Sequence, residues 1–292
     1  YAGMHRLGGP AFGSYWTALV PDTVADREVR QAVASRVAEG DRLFSPFLMD
    51  SELSRFNRLP AGGVAQLSPE TRSVIEAAQD CHERTGGAFD PTVGPTVSRV
   101  GFGPITGDAN ASIGLLELES RRAVKPSDGF TLDLCGIAKG WVLDQIVTTL
   151  DAMGIEGFLV ELGGEVFARG QSTSGRPWRV LIDAPDMTPA NFLELRNRAV
   201  ATSGHRPQSY EIASTQYSHI VDPRRRSPIQ NGADGVSVLA STGIEADALA
   251  TAMMAMDVET ALQFAQAQNL DVVLRHEGEA IVVGAPPLKT LE

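Results

Sequence analysis

The stretch Thr131–Leu150, TLDLCGIAKGWVLDQIVTTL, decides how this chain is read. Leu132 and Leu134 flank Asp133 in a short predicted strand, which runs through Cys135 and Gly136 into an amphipathic helix with Lys139 in its first turns. A strand that ends in small residues and opens a helix aims unpaired backbone N–H groups at the space beyond it. Those groups and the helix dipole favour anions, above all phosphates. Lys139 adds a point charge suited to phosphate oxygens. Asp133 does not belong in a simple phosphate cradle, unless it reads a base or helps to place a cation.

The rest of the composition narrows the ligand. The 292 residues suffice for one large domain or two small ones, either with a sizeable core. A hydrophobic share of 43% with 21% charged residues is that of a soluble globular protein. The net charge of −11 leaves no broad basic face, so nucleic acid is not an expected partner. An anionic ligand would need local help, from a helix N-terminus, a lysine or a bound cation. Cys81 and Cys135 lie far apart and outside any C-x-x-C pattern, which speaks against a disulfide framework or a zinc site. No apolar run is long enough to be a transmembrane segment. Tyr1 in place of an initiator methionine fits a removed export signal or a trimmed tag, and Leu291-Glu292 fits a vector scar.

Working outward, Phe12–Val20 is a strand candidate and Asp26–Leu43 a helix with Val29, Val33, Val37 and Leu43 on one face. Asp50–Ser54 is a loop that opens a short helix by capping. A longer helix runs from Ser68 to about Arg84, with Ser68 as N-cap, Pro69 at the first position and Gly86-Gly87 as its stop. Gly86–Gly107, dense in Gly and Pro, reads as a long irregular loop. Strands are expected over Gly157–Glu161, Trp178–Asp183, Arg198–Ser203, Tyr217–Val221, Gly235–Ala240, Asp271–His276 and Ala280–Val283. Helices are expected over Ile244–Met256 and Asp257–Gln268. Strands come in runs as well as alternating with helices, which points to an α+β fold class rather than a doubly wound parallel sheet.

Three constellations carry chemistry. Asp247 and Thr251 stand at i, i+4 on one helix face, among Ala246, Ala248, Ala250 and Ala252. A carboxylate and a hydroxyl one turn apart offer hard oxygens of the kind Mg²⁺ takes alongside phosphates, although a solvated polar pair reads the same way. His219, in Tyr217-Ser-His-Ile-Val-Asp222-Pro223, is either a general base, since histidine titrates near working pH, or a histidine satisfied by hydrogen bonds at a strand end. Glu161-Leu-Gly163-Gly164-Glu165 and Thr85-Gly-Gly-Ala-Phe89-Asp90 offer open backbone, for a ligand or merely for a turn. The P-loop, the dinucleotide fingerprint and the G-x-S-x-G elbow are all absent from the sequence.

Taken in order, FGSYWTALV (from Phe12), SPFLMDSELSRFN (from Ser45), GGAFDPTVGP (from Gly86) with the following GFG, DLCGIAKGWVLD (from Asp133), FLVELGGEVFARG (from Phe158), ATSG, SHIVDPR and ADALATAMMAM (from Ala246) resemble the ApbE family of FAD:protein FMN transferases. The resemblance implies an Mg²⁺-dependent enzyme that cleaves the diphosphate of FAD, attaches FMN to a Thr or Ser hydroxyl of an acceptor flavoprotein and releases AMP. On the matching positions it implies that Asp247, Thr251 and the carbonyl of Gly136 are metal ligands. Phe12, Phe47, Ala88, Phe89, Asp90, Asp133, Lys139 and Ile220 would contact FAD, and His219 would be the base. It further implies one two-lobed α+β unit over residues 1–292, with mixed or antiparallel sheets flanked by helices and FAD held between the lobes, and a periplasmic setting or one on the outer face of the inner membrane. The chain departs from the family at Phe12, where methionine is usual, and at Phe47, where tyrosine is usual and a hydroxyl contact is lost. Cys135 replaces a glycine or small residue, and Arg225-Arg226-Ser227-Pro228 replaces the usual Thr-Gly continuation, which reshapes the loop beside the acceptor. An FAD pyrophosphatase and a non-catalytic FAD-binding accessory protein are the alternatives.

Overall fold

The computed structural model describes residues 1–182, 191–204, 209–212, 215–218, 220–229 and 231–290. Among them, eight strands form one sheet in which the spatial order is the order of the chain. They are β1 (Met4–Ala11), β2 (Ser14–Pro21), β3 (Phe158–Leu162), β4 (Glu165–Arg169), β5 (Arg198–Gly204), β6 (Gly235–Ala240), β7 (Asp271–His276) and β8 (Glu279–Val283). Every neighbouring pair is antiparallel. Between β2 and β3 the chain forms α1 (Asp26–Phe44), α2 (Glu52–Asn57), α3 (Pro69–Arg84), α4 (Gly94–Arg99) and α5 (Ala138–Ala152). Between β6 and β7 it forms α6 (Gly243–Met254) and α7 (Val258–Ala267). The α+β class with antiparallel sheets is therefore as expected.

Strand alternation sets what each face of the sheet buries. In β4, Phe167 joins the large core beneath the helices, whereas Val166 and Ala168 turn to the other face. There they meet Trp178, Leu193 and Leu195 of a small sheet built from Trp178–Leu181, Asn191–Leu195 and Leu288–Thr290. In β6, Val236, Val238 and Ala240 face the helices and Leu239 faces away. Several caps are those the residue types predict. Ser51 accepts the N–H of Ser54 at 3.0 Å, Ser68 that of Thr71 at 3.1 Å and Asp257 that of Thr260 at 2.8 Å.

Four expectations are corrected. Phe12 and Gly13 are not strand but the two-residue turn between β1 and β2, both left-handed at φ 48° and 72°, as a primed hairpin turn requires. Residues 131–134 form no strand ladder. Instead the side chain of Asn57 accepts the N–H of Leu132 and donates to its carbonyl, both at 2.8 Å, and so takes the place of a neighbouring strand. The Gly- and Pro-rich stretch 86–107 is not structureless, because it contains α4 and a 3₁₀ turn at Pro91–Val93. Tyr217–Val221 is not one strand: Thr215–Ser218 pairs with Ser209–Ile212, and Val221–Asp222 with Ser227–Pro228.

Candidate active site

The site begins where α5 crosses α6. The contact is glycine on glycine: a Cβ on Gly140 would lie 2.3 Å from the carbonyl oxygen of Gly243, and one on Gly243 2.6 Å from that of Gly140. Only glycine allows two helix backbones this close. The approach brings the first turn of α5 to Asp247, which is buried and whose Oδ2 accepts the N–H of Gly140 at 2.9 Å. One turn further along α6, Thr251 donates its hydroxyl to the carbonyl of Gly136 at 3.2 Å. A Cβ on Gly136 would sit 2.8 Å from Thr251 Cγ2, so glycine is needed here as well. Gly136, Asp247 and Thr251, far apart in sequence, thus meet at one place.

Lys139 stands next to them, held from below by a residue the sequence reading did not assign. The Gly163-Gly164 turn between β3 and β4 puts Glu165 on the helix side of the sheet, and Lys139 Nζ donates a short hydrogen bond to its Oε1. Glu165 Oε2 is buried and has no hydrogen-bond partner among the described residues. Burial raises the Glu165 carboxyl well above the usual range, and the charge of Asp247 adds to this against the pull of Lys139. Burial also raises Asp247, more than Lys139 and the N–H of Gly140 lower it. For Lys139 burial acts downward, but Glu165 and Asp247 outweigh it and hold the ammonium above its ordinary value. Two buried carboxylates share one ammonium, so the cluster is short of positive charge.

That shortage and the donor chemistry are the test for Mg²⁺. No three His, Cys, Asp or Glu side chains cluster as a metal cage among the described residues. The donor set is instead one carboxylate, one hydroxyl and one backbone carbonyl, all hard oxygens. Mg²⁺ characteristically uses one or two protein carboxylates and completes its shell with water and substrate phosphates. The residues present fit it.

The other expected site residues divide. Asp133 is half-buried, its Oδ1 accepting the N–H of Cys135 at 3.0 Å, which turns the chain toward Gly136. It packs on the Gly86–Pro95 segment, since a Cβ on Gly94 would lie 3.2 Å from Asp133 Cβ. Within that segment Ala88 and Phe89 are buried, and the carbonyl of Phe89 meets His82 Nδ1 at 2.9 Å. The Asp90 carboxylate accepts from Thr92 N and Oγ1, Ser112 Oγ and Ile113 N at 2.7–3.2 Å, so it organises this loop. Ile220 is buried just before Asp222, whose carboxylate takes the backbone N–H and guanidinium of Arg224. Arg224 also reaches the carbonyl of Ala255, at the end of α6. Phe12 packs on the core beside Gly40 of α1 and Val142 of α5. Phe47 is 74% exposed, on the loop between α1 and α2 with Leu48 and Met49. His219 lies outside the described residues. Nothing local in the sequence marks Glu165, since a glutamate directly after Gly-Gly at the start of a strand reads equally as a solvent-facing residue.

Comparison with known proteins places the chain in a family. The ApbE family profile matches residues 12–274. A protein of Vibrio cholerae serotype O1 named FAD:protein FMN transferase is 33% identical, over 92% of this chain and 86% of its own length. One of the same name from Escherichia coli K12 is 28% identical, over 96% and 87%. The solved flavin transferase ApbE from Vibrio cholerae superposes with a TM-score of 0.86 at 30% identity, covering 96% of this chain and 97% of that one. The ApbE protein from Thermotoga maritima does so with a TM-score of 0.83 at 26% identity, over 96% and 97%. With fold, ordered motifs and the family profile coinciding along nearly its whole length, this chain belongs to the ApbE family.

Proposed function

We propose that this chain is an FAD:protein FMN transferase that uses Mg²⁺, attaches FMN to a Thr or Ser hydroxyl of an acceptor flavoprotein, and releases AMP. The observation that carries the reading is the meeting of Gly136, Lys139, Asp247 and Thr251 at the α5–α6 crossing, a charge-poor and oxygen-lined place beside a helix N-terminus. The names of the relatives supply the reaction class.

In this reaction the acceptor hydroxyl oxygen bonds to the FMN-side phosphorus of FAD. The bond from that phosphorus to the bridging oxygen breaks, AMP leaves with the bridging oxygen, and the hydroxyl proton passes to a base, assigned to His219 on the family resemblance. Phosphoryl transfer of this kind depends on positioning and charge neutralisation more than on covalent help from the protein. Asp247, Thr251 and the Gly136 carbonyl would hold Mg²⁺, which when bound supplies a Lewis acid for the diphosphate. Lys139, kept protonated by Glu165 and Asp247, adds a fixed positive charge at the same place. Asp133, Ala88-Phe89-Asp90, Ile220, Phe12 and Phe47 are assigned to FAD. The family resemblance also supports a periplasmic location, which fractionation of the source cells would check.

The test is to incubate the protein with FAD and Mg²⁺, with and without a candidate acceptor domain bearing Thr or Ser at its flavin attachment position, and to separate the nucleotides by chromatography. AMP that accumulates only with acceptor, without matching free FMN, is the expected result. Equal AMP and free FMN in both reactions would make the protein a pyrophosphatase, and unchanged FAD would make it a binding protein.

A further inference from the structure

The two site helices cap each other. Neither has a side-chain cap of its own: Ile137 before α5 and Thr242 before α6 make no such hydrogen bond. Instead Asp144, one turn beyond Gly140 on α5, accepts the N–H of Gly243 at 2.6 Å and that of Ile244 at 2.9 Å. In return Asp247 of α6 accepts the N–H of Gly140 in α5. First-turn N–H groups are left unpaired by a helix's own ladder, and here each helix satisfies the other's with a carboxylate. The exchange straddles the Gly140–Gly243 contact, where the backbones have no side-chain cushion to define their spacing.

We propose that Asp144 is a positioning residue for the cation site, setting the axial register of α6 against α5 so that Asp247, Thr251 and the Gly136 carbonyl present their oxygens together. The geometry is directional. Asp144 holds the two N–H groups at the start of α6, Asp247 lies one turn further on, and Thr251 lies one turn beyond that. A slip of α6 along its axis would separate Thr251 from Gly136 and Asp247 from Gly140 at once. Ligand constellations tolerate only about 0.5 Å of such error. The Asp144 carboxylate hydrogen-bonds the start of α6 and not an expected metal ligand, although its charge is felt at Asp247. The comparison of Asp144→Asn with Asp144→Ala, which both remove that charge, therefore isolates the part that passes through the helix.

The inference rests on the cation reading above, and its test separates the two. Mn²⁺ serves as the probe, because it favours the same hard oxygen ligands and the free ion is measured directly by electron paramagnetic resonance. The full chain is titrated without FAD as wild type, Asp144→Asn, Asp144→Ala and Asp247→Asn. Asp144→Asn keeps the shape and one acceptor, so it should fold and bind Mn²⁺ about 10-fold more weakly, with Asp144→Ala about 100-fold weaker, the range that outer partners of metal ligands command. Transfer at saturating cation should retain its kcat, with the loss appearing in the half-saturating cation concentration. A merely structural Asp144 would lower the thermal midpoint yet leave Mn²⁺ affinity of the folded protein unchanged, and that result overturns the proposal. If Asp144→Ala fails to fold, Asp144→Asn alone decides. Loss of Mn²⁺ binding in Asp247→Asn with wild-type binding in Asp144→Asn removes the positioning role and leaves the cation reading standing. Wild-type binding in Asp247→Asn removes both.

Discussion

Asp90 and Asp247 are both buried, at 8% and 2% exposure, and both sit in stretches that resemble family motifs. Their charges are met in different ways. Asp90 is surrounded by donors from Thr92, Ser112 and Ile113, which close the Gly-rich segment onto the strand-free stretch beyond it. Asp247 accepts one backbone N–H, lies near a second carboxylate, and shares a single ammonium with it. A buried carboxylate with all its donors present builds structure. One left short of positive charge is costly to the free protein and marks where a ligand completes the balance. The difference separates the loop that shapes the site from the helix crossing that does its chemistry.

The largest expected effect tests the underpaired side. Asp247→Asn keeps an acceptor for Gly140 and removes the charge, so transfer should fall by about 10²–10³-fold, as when one transition-state electrostatic partner is lost. The thermal midpoint of the free protein should hold or rise, because an uncompensated buried charge has gone. Calorimetry beside initial-rate kinetics checks both, and a midpoint that drops with the activity would place Asp247 in the same class as Asp90. Asp90→Ala should act first on stability. It strands several buried donors and should cost about 3 kcal/mol in denaturant unfolding, at roughly 1–3 kcal/mol per unsatisfied group. Full stability in that variant would mean the loop is held by something else.

Asp144 extends the comparison to pH. Burial raises its carboxyl from 3.8 to about 6, against the lowering effect of the Ile244 and Gly243 N–H groups. Between those values the folded chain keeps a proton that the unfolded chain has released, so this contribution to stability falls as pH rises from 3.8 to about 6 and is level above. The difference in thermal midpoint between wild type and Asp144→Asn should therefore shift against the wild type across that window, and the opposite slope would contradict the assignment. The smallest effect belongs to the rim. Phe47→Ala should change stability by less than about 0.5 kcal/mol, since the ring is solvent-exposed, while raising KM for FAD. An unchanged KM would take Phe47 out of the site.

What could be read from residues alone followed the range of the interactions. Ser68, Pro69 and Asp257 announced helix starts because capping is local, and β6 and β7 were legible because each is a short run rich in Val and Leu. Met4–Ala11 was not recognised as a strand; Gly8, Gly9 and Pro10 are poor strand formers, which β1 can carry as an edge strand. α4 was hidden in a Gly- and Pro-rich stretch for the same reason. The Asp247 and Thr251 pair was visible through helical spacing, and the family resemblance joined it to Gly136. The glycine crossing, the reciprocal use of Asp144 and Asp247, and the Glu165 support under Lys139 each span different elements, so no local pattern could reveal them.

Covalent flavin on the acceptor, read by intact mass for wild type and Asp247→Asn side by side with FAD, with and without Mg²⁺, tests the central claim most directly. The account predicts a mass gain of one FMN phosphoester on the acceptor with wild type and Mg²⁺, the same gain about 10²–10³-fold more slowly with the variant, and none without the cation. An adduct formed equally well by Asp247→Asn, or by wild type after chelation of divalent ions, would contradict it.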